Sequence, residues 1–277
     1  MKVLDRTPVI VGAADYPVTD GRVQLGVTPI QIQTTAAADA LTMAGLTYGD
    51  VDGLFTAGAW SPMGAGQHPT LALGEYMRLD RLRYIDSTNI GGASFEAHLA
   101  HAALAISQGL CDVALLTYGS TQYSDRSRSL GGRRSENSFQ FETPWGMPSP
   151  LGGYALAAAR YQYLYGDIRQ ALSTIAVSTR AWAHLNPRAT KRDLLTVDDV
   201  NNSGLISDPL RVLDCCLVTD GGGAVVLTAA GLAGGRHRPI AITGHGQAQS
   251  HWIMSEMPDL TVIPAAASGS RAASWTG

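Results

Sequence analysis

The sequence predicts an α/β fold, and the clearest evidence is one strand–helix–strand unit. Branched and apolar residues at 83–87 and at 112–118 are typical of strands. Between them, apolar residues recur at positions i, i+4, i+7 and i+11 and therefore share one face of a helix: Phe95, Leu99, Ala102 and Ile106. Short connections join the three elements, so we expect a right-handed βαβ unit within a parallel sheet.

Two further strands and two helices are predicted before this unit. A short apolar run at 9–12 ends in Gly12 and predicts a buried strand. Thr28 and Pro29 are favourable N-cap and first-turn residues for a helix that ends near Gly45. A second strand is expected at 52–57 and a short helix at 71–79. Residues 1–119 therefore form one α/β half.

Residues 120–205 predict an inserted, mainly helical subdomain. A stretch rich in Ser, Arg and Gly at 124–138 is typical of a mobile loop. Helices are expected at 153–165 and 168–184, and no strong strand signal occurs between Leu116 and Ala224.

The sheet is predicted to resume within 206–248. A turn at 220–223 precedes a strand at 224–227, and another strand is expected at 240–243. Residues 264–267 then resemble a helix start, within a segment (249–277) that begins a second half. No returning strand follows, so we expect the chain to be truncated.

Composition excludes several classes of protein. Of the 277 residues, 45% are hydrophobic and 16% charged, so a sizeable core is expected. A net charge of −3 gives no basic excess for nucleic acid or for an anionic membrane. The N-terminus is a poor secretion signal, which favours a cytoplasmic protein. The three cysteines, Cys111, Cys215 and Cys216, suggest neither a disulfide framework nor a metal site, and we interpret them as small buried residues.

Three segments together resemble a known family. They are the turn at 89–94 with the alanine-rich helix and residues 109–115, the segment 184–187 (HLNP), and the segment 213–224 (LDCCLVTDGGGA). In this order and spacing, over about 8–247, they resemble the N-terminal half and loop domain of thiolases, in particular of the sterol-carrier and lipid-transfer branch. The resemblance implies a layered thiolase-like βαβαβ fold, one half of the usual duplicated pair, with an inserted helical loop domain.

The resemblance places the family's nucleophilic cysteine on Gly92, which has no side chain to form a covalent acyl-enzyme. Ser94 is interpreted as a helix cap rather than as a nucleophile. A glycine pair at a helix N-terminus lets a carbonyl or phosphate group approach backbone N–H groups. No catalytic residue is assigned; the candidates for the substrate pocket are Asn89, Gly91, Gly92, Ala93, Ser94, His184 and Asn186.

Two of these assignments have alternatives. His184 and Asn186 could line an acyl-CoA pocket, as the resemblance implies, or Asn186 could end a helix because it precedes a proline. Guanidinium groups suit the phosphates of coenzyme A, although a run of basic residues is often only solvated. The phosphate candidates are Arg133 and Arg134 in the loop, and Arg188, Lys191 and Arg192 after the HLNP segment.

The resemblance implies an enzyme that acts at a C–C bond of an acyl-CoA thioester. It would be a thiolase-type acyltransferase or, given Gly92, a retro-aldolase that cleaves a steroid or lipid side-chain ester of coenzyme A. The thioester is a substrate, and no bound cofactor or metal is expected. The alternative is an inactive fragment that binds acyl-CoA or lipid. The general acid or base is expected outside this chain.

The resemblance also implies partners. We expect a homodimer that pairs through the strand at about 82–88, since this strand would otherwise be an exposed sheet edge. A small OB-fold partner protein is a further expectation, whereas nucleic acid and membranes are not expected partners.

Overall fold

The computed structural model describes residues 5–60, 68–125, 141–147, 150–234 and 237–274. The chain divides into two compact units, the first made of residues 1–127, 219–247 and 269–277, and the second of residues 128–218 and 248–268. Residues 206–218, which we predicted to return to the core, belong to the second unit. The assignment of 120–205 as the loop domain and of 249–277 as the start of a second half remains a prediction.

The first unit is built on a seven-stranded sheet with the order β4-β2-β5-β8-β1-β9, and β3 also pairs with β5. Its strands are β1 (Pro8–Asp15), β2 (Gly53–Phe55), β3 (Ala59–Trp60), β4 (Tyr84–Asp86), β5 (Val113–Ser120), β8 (Gly221–Ala229) and β9 (Ile240–Ala241). The remaining strands, β6 (Leu205–Ser207) and β7 (Leu210–Arg211), pair with each other in the second unit.

The sheet is mixed, so the predicted parallel sheet is correct for only part of it. Strands β4 and β5 run parallel to β2, which lies between them, whereas β8 is antiparallel to both β5 and β1. The register explains why β8 runs antiparallel to β5, because Ser120 at the end of β5 pairs with Gly221 at the start of β8. The chain leaves the sheet and re-enters it at the same end, and a strand that does so must run antiparallel.

Helices cover both faces of this sheet. They are α1 (Pro29–Ala44), α2 (Pro69–Met77) and α3 (Ser94–Ser107). Alternate residues of β5 point to opposite faces: Val113 and Leu115 join the core under α1, whereas Ala114 and Leu116 join the core under α3. The helix start predicted at Thr28 is confirmed, since Thr28 and Gln31 form a capping box.

The predicted turn at 220–223 is wrong, because Gly221 to Gly223 form the first residues of β8. The glycines there serve close packing. A Cβ atom on Gly222 would lie 2.3 Å from the Tyr118 carbonyl oxygen and 2.5 Å from Ile32 Cγ2. Glycine therefore allows β8 to lie against β5 and α1 at this end of the sheet.

The second unit is mainly helical, as predicted, with α4 (Leu151–Tyr165), α5 (Arg169–Leu185) and α6 (Val197–Asn202). The short β6–β7 hairpin was not predicted. The Arg169 guanidinium binds the Asp214 carboxylate through both terminal nitrogens, and the Asp214 side chain is only 2% exposed. A last helix, α7 (Ala265–Ser274), follows the predicted start at 264–267. No helix in the described ranges is long and apolar enough to cross a bilayer.

Candidate functional site

The glycine turn that the resemblance singles out lies in the first unit, between β4 and α3. Residues Gly91–Ala93 form a single 3-10 turn, and Gly91 has a left-handed backbone with φ of 78°. The Asn89 side-chain oxygen accepts a hydrogen bond from the Gly91 N–H at 3.1 Å. Asn89 therefore holds the entry to the turn.

Ser94 ties the same turn together and does not cap the helix as predicted. Its hydroxyl donates to the Gly91 carbonyl at 2.6 Å and accepts from the Ile90 N–H at 2.9 Å. The side chain is fully buried, and both hydrogen bonds are made within the turn. The N-cap position is Ala93, which makes no side-chain cap hydrogen bond. Within the turn, the Ser94 N–H donates to the Gly91 carbonyl oxygen.

Gly92 is exposed, and no described atom lies within 4 Å of the position that a Cβ atom would take. Unlike Gly91, it does not have a left-handed backbone. Neither space nor backbone conformation therefore requires glycine at position 92. The equivalence of Gly92 with the family's nucleophilic cysteine remains a prediction.

The three cysteines differ in their exposure. Cys111 is buried, as predicted, with its sulfur against Gly53, and burial raises the pKa of its thiol to about 12. Cys215, in the second unit, is half-buried and donates to the Arg211 carbonyl oxygen. Cys216 is exposed, so the prediction of burial is wrong for this residue. Burial therefore keeps Cys111 from supplying a thiolate of low pKa.

The HLNP segment lies in the second unit, at the end of α5. His184 Nδ1 lies 3.0 Å from the Arg192 carbonyl oxygen, and the Arg192 guanidinium donates to the His184 carbonyl at 2.9 Å. The Asn186 side-chain oxygen accepts from the Arg188 N–H at 3.0 Å. These contacts favour the interpretation of Asn186 as a helix-ending residue. Arg188, Lys191 and Arg192 are exposed around it, and Arg133 and Arg134 lie outside the described residues.

The second unit also contains a cavity that sequence reasoning missed. Its volume is about 700 Å³, within the usual range for small-molecule pockets. The walls are mostly apolar and rich in methionine: Phe141, Trp145, Met147, Ala155, Leu156, Met254, Met257 and Leu260. Among the described lining residues, the only charged groups are the carboxylates of Glu142 and Asp208. The cavity therefore suits an uncharged, flexible or irregular group rather than a phosphate.

Glycines at the start of α4 shape this cavity. A Cβ atom on Gly153 would lie 3.1 Å from Met254 Cε, so the segment around Met254 packs tightly against the helix. The Glu142 carboxylate accepts from the Ser255 N–H at 2.8 Å and fixes the same segment. The glycine pair at 152–153 is the one sequence signal that could have indicated this packing.

Comparison with known proteins relates the chain to CoA-ester enzymes. No protein-family model matches it. It is 31% identical over 272 residues to the 17-hydroxy-3-oxo-4-pregnene-20-carboxyl-CoA lyase of Mycobacterium tuberculosis, covering 92% of this chain and 66% of the lyase. It is 28% identical over 250 residues to an acetyl-CoA acetyltransferase of Methanothermobacter thermautotrophicus, covering 86% of this chain and 62% of that enzyme. The chain thus spans slightly less than two thirds of each of these relatives.

Solved structures give the same relationship. The Ltp2-ChsH2(DUF35) aldolase matches with a TM-score of 0.83 and 26% identity, over 99% of this chain and 71% of that chain. A monomeric SCP2-thiolase-like protein type 1 from Mycobacterium smegmatis shares the fold, with a TM-score of 0.71 and 18% identity over 99% of this chain and 57% of its own. The predicted thiolase-like α/β fold is confirmed, and the chain is similar in sequence to a CoA lyase, an aldolase and an acetyl-CoA acetyltransferase.

Proposed function

We propose that the protein cleaves a C–C bond of an acyl-CoA thioester by a retro-aldol reaction. The observation that carries this proposal is the glycine turn at the start of α3, where Gly92 is exposed and carries no nucleophile, and where no side chain caps the helix. The similarity to a CoA lyase and to an aldolase supports it. We infer a substrate with a hydroxyl group on the carbon β to the thioester, carried on a steroid or lipid side chain.

The reaction makes limited demands on this turn. A base removes the proton of the β-hydroxyl group, the bond between the α and β carbons breaks, and its electron pair passes to the thioester oxygen. Backbone N–H groups at a helix N-terminus stabilise the resulting enolate oxygen. The α carbon is then protonated, which gives a shortened thioester and a carbonyl product. The base is not assigned, because Asn89 and Ser94 already bond to the turn itself.

The remaining candidates form part of this proposal. Gly91, Gly92 and Ala93 would line the thioester end of the pocket. Arg133, Arg134, Arg188, Lys191 and Arg192 remain the candidates for the phosphates of coenzyme A. Because coenzyme A esters are intracellular metabolites, the proposal places the protein in the cytoplasm.

The reaction is tested by offering two substrates to the protein expressed from its complete reading frame. A β-hydroxyacyl-CoA ester of a 17-hydroxy steroid should be cleaved, with both products detected by chromatography. A β-ketoacyl-CoA plus free coenzyme A should not react, since thiolysis needs a nucleophilic thiolate. Thiolysis of the β-ketoacyl-CoA, with no cleavage of the β-hydroxyacyl-CoA, would refute the cysteine-independent mechanism.

Binding without turnover is the second candidate, and the methionine-rich cavity is the observation that favours it. Titration calorimetry with free coenzyme A and with a long acyl-CoA would distinguish the two. Stronger binding of the long acyl-CoA, with no cleavage of either substrate above, would support binding alone. The absence of heat with both ligands at high protein concentration would count against it.

A homodimer and a small OB-fold partner complete the proposal. Strand β4 lies at the edge of the sheet, and Ile85 at its centre is 43% exposed beside a cavity of about 420 Å³. An Ile85→Lys variant should become monomeric in sedimentation experiments, because a charge at this edge opposes strand pairing. Met43→Lys, at a residue 40% exposed on α1, is the matched control and should leave the oligomeric state unchanged.

A further inference from the structure

Helix α3 presents three polar side chains along one stripe, which bind the last residue of β4 and the loop that connects β4 to α3. Ser94, His98 and His101 are spaced by four and three residues, which places them on the same helix face. Ser94 and His98 are fully buried, and His101 is 33% exposed. A buried polar stripe on a helix that packs in a core requires an explanation from its contacts.

The contacts of this stripe follow the loop from its start to the glycine turn. His101 Nδ1 lies 2.6 Å from Asp86 Oδ2, and Asp86 Oδ1 accepts from the Thr88 N–H at 2.7 Å. His98 Nε2 lies 2.8 Å from the Thr88 carbonyl oxygen. Ser94 then holds the turn itself, as described above. Both backbone groups of Thr88 are thus bound to this network, three residues before Gly91.

Stability alone does not account for His98. A carbonyl oxygen only accepts hydrogen bonds, so Nε2 carries the proton and Nδ1 carries a lone pair. Nδ1 is buried and has no hydrogen-bond partner among the described residues. The ring packs against Phe55 and Phe95, with centroids 6.2 and 5.7 Å away. An apolar ring would fill this space without an unpaired nitrogen, so the hydrogen bond to Thr88 is the contribution that only a donor such as histidine provides.

We propose that His98 is a positioning residue that fixes the loop at Thr88 and thereby orients the Gly91–Gly92 turn toward the substrate carbonyl. This inference rests on the proposed role of the turn in carbonyl binding. Hydrogen-bond donors stabilise a developing oxyanion only when they are held at the correct place before the reaction. A side chain that fixes the loop without touching the substrate should therefore affect turnover more than substrate binding.

The first test compares His98→Phe with His98→Gln in the full enzyme. The Phe variant retains the ring and removes the donor, whereas the Gln variant retains an N–H that reaches Thr88. The Phe variant should lower kcat for C–C cleavage by about 10- to 100-fold with KM within about threefold, as expected for misplaced binding groups. The Gln variant should restore most of kcat. Equal kcat values in a folded Phe variant and the wild type would overturn the proposal.

A second test does not depend on the enzymatic activity. The thiol introduced by Gly92→Cys reports on the geometry of the helix start through its rate of alkylation by iodoacetamide, measured by mass spectrometry of the peptide. Adding His98→Phe should slow alkylation at pH 7 by about tenfold, because a displaced helix start raises the pKa of the thiol, and His98→Gln should not. If the wild type cleaves no substrate, this arm still decides the positioning role.

A third comparison remains available if the Phe variant does not fold. His98→Asn and His98→Gln carry the same amide group, but the shorter Asn side chain does not reach Thr88. Slower alkylation with Asn than with Gln supports the proposal. Identical rates in these two folded variants would refute it.

Discussion

Gly91 and Gly92 are adjacent at the start of α3. Replacing each of them with alanine should change the stability of the protein in opposite directions. No described atom lies within 4 Å of the Cβ position of either glycine. They differ in the backbone, since Gly91 has φ of 78° and Gly92 is outside the left-handed region. Alanine substitution at each position therefore separates the effect of backbone conformation from that of steric contact.

The two magnitudes follow from this difference. Alanine at position 92 adopts the native conformation without strain and reduces the freedom of the unfolded chain, which should stabilise the protein by about 0.4–1 kcal/mol. Alanine at position 91 must adopt a left-handed conformation, which should cost about 1–2 kcal/mol. The gap between the two variants is then about 1.4–3 kcal/mol, well above the error of a denaturation experiment.

Urea unfolding followed by circular dichroism measures both variants against the wild type. The midpoint should rise for Gly92→Ala and fall for Gly91→Ala, with the slope unchanged in both. If Gly92→Ala is the less stable variant, then position 92 is not open and the geometry described for the turn is wrong. If both variants are equally destabilised, the left-handed backbone at Gly91 is not the cause.

Three other predictions concern stability. Gly222→Ala should destabilise the first unit by about 1–3 kcal/mol in urea unfolding, because its Cβ atom would lie 2.3 Å from the Tyr118 carbonyl oxygen. Asp214→Asn should cost about 3–5 kcal/mol and increase proteolysis of the second unit, because Arg169 loses its buried charged partner. Burial lowers the pKa of His98 below its usual value of 6.5, so the unfolded chain binds the proton more readily. The His98 contribution to stability should therefore be full above about pH 6.5 and decline as the pH falls below it. His98→Gln should reduce this decline. An unchanged pH profile of stability in that variant would contradict the assignment of the decline to His98.

Local sequence signals were sufficient to predict the helices but not the order and direction of the strands in the sheet. The start of α1 was predictable because Thr28 and Gln31 cap it through contacts three residues apart. The position of β2 between β4 and β5 depends on pairings of residues 53–55 with two distant segments. Periodicity within a segment carries no information about such pairings, so the antiparallel β8 was also not predictable.

One feature was misread from the sequence and another was not identified, for the same physical reason. The glycines at 221–223 follow an aspartate and resemble a turn, but Ile32 and Tyr118 lie too close for any side chain at Gly222. No sequence pattern singled out His98, which is buried and lies within hydrogen-bond distance of the Thr88 carbonyl oxygen. In both cases the residue that determines the structure is a contact in space and lies outside the local sequence pattern.

Thiolysis and retro-aldol cleavage make different demands on the turn before α3. Under the predicted equivalence of Gly92 with the family's nucleophilic cysteine, thiolysis needs a side chain at position 92, whereas a retro-aldol step needs correctly placed N–H groups at the turn and a base elsewhere. The fold would accept a side chain there, since no described atom blocks it, so glycine is not a requirement of packing. The polar side chains around the turn, Asn89, Ser94 and His98, instead hold the backbone in place. A site that retains its backbone support without a nucleophile is better suited to binding a carbonyl oxygen than to forming an acyl-enzyme.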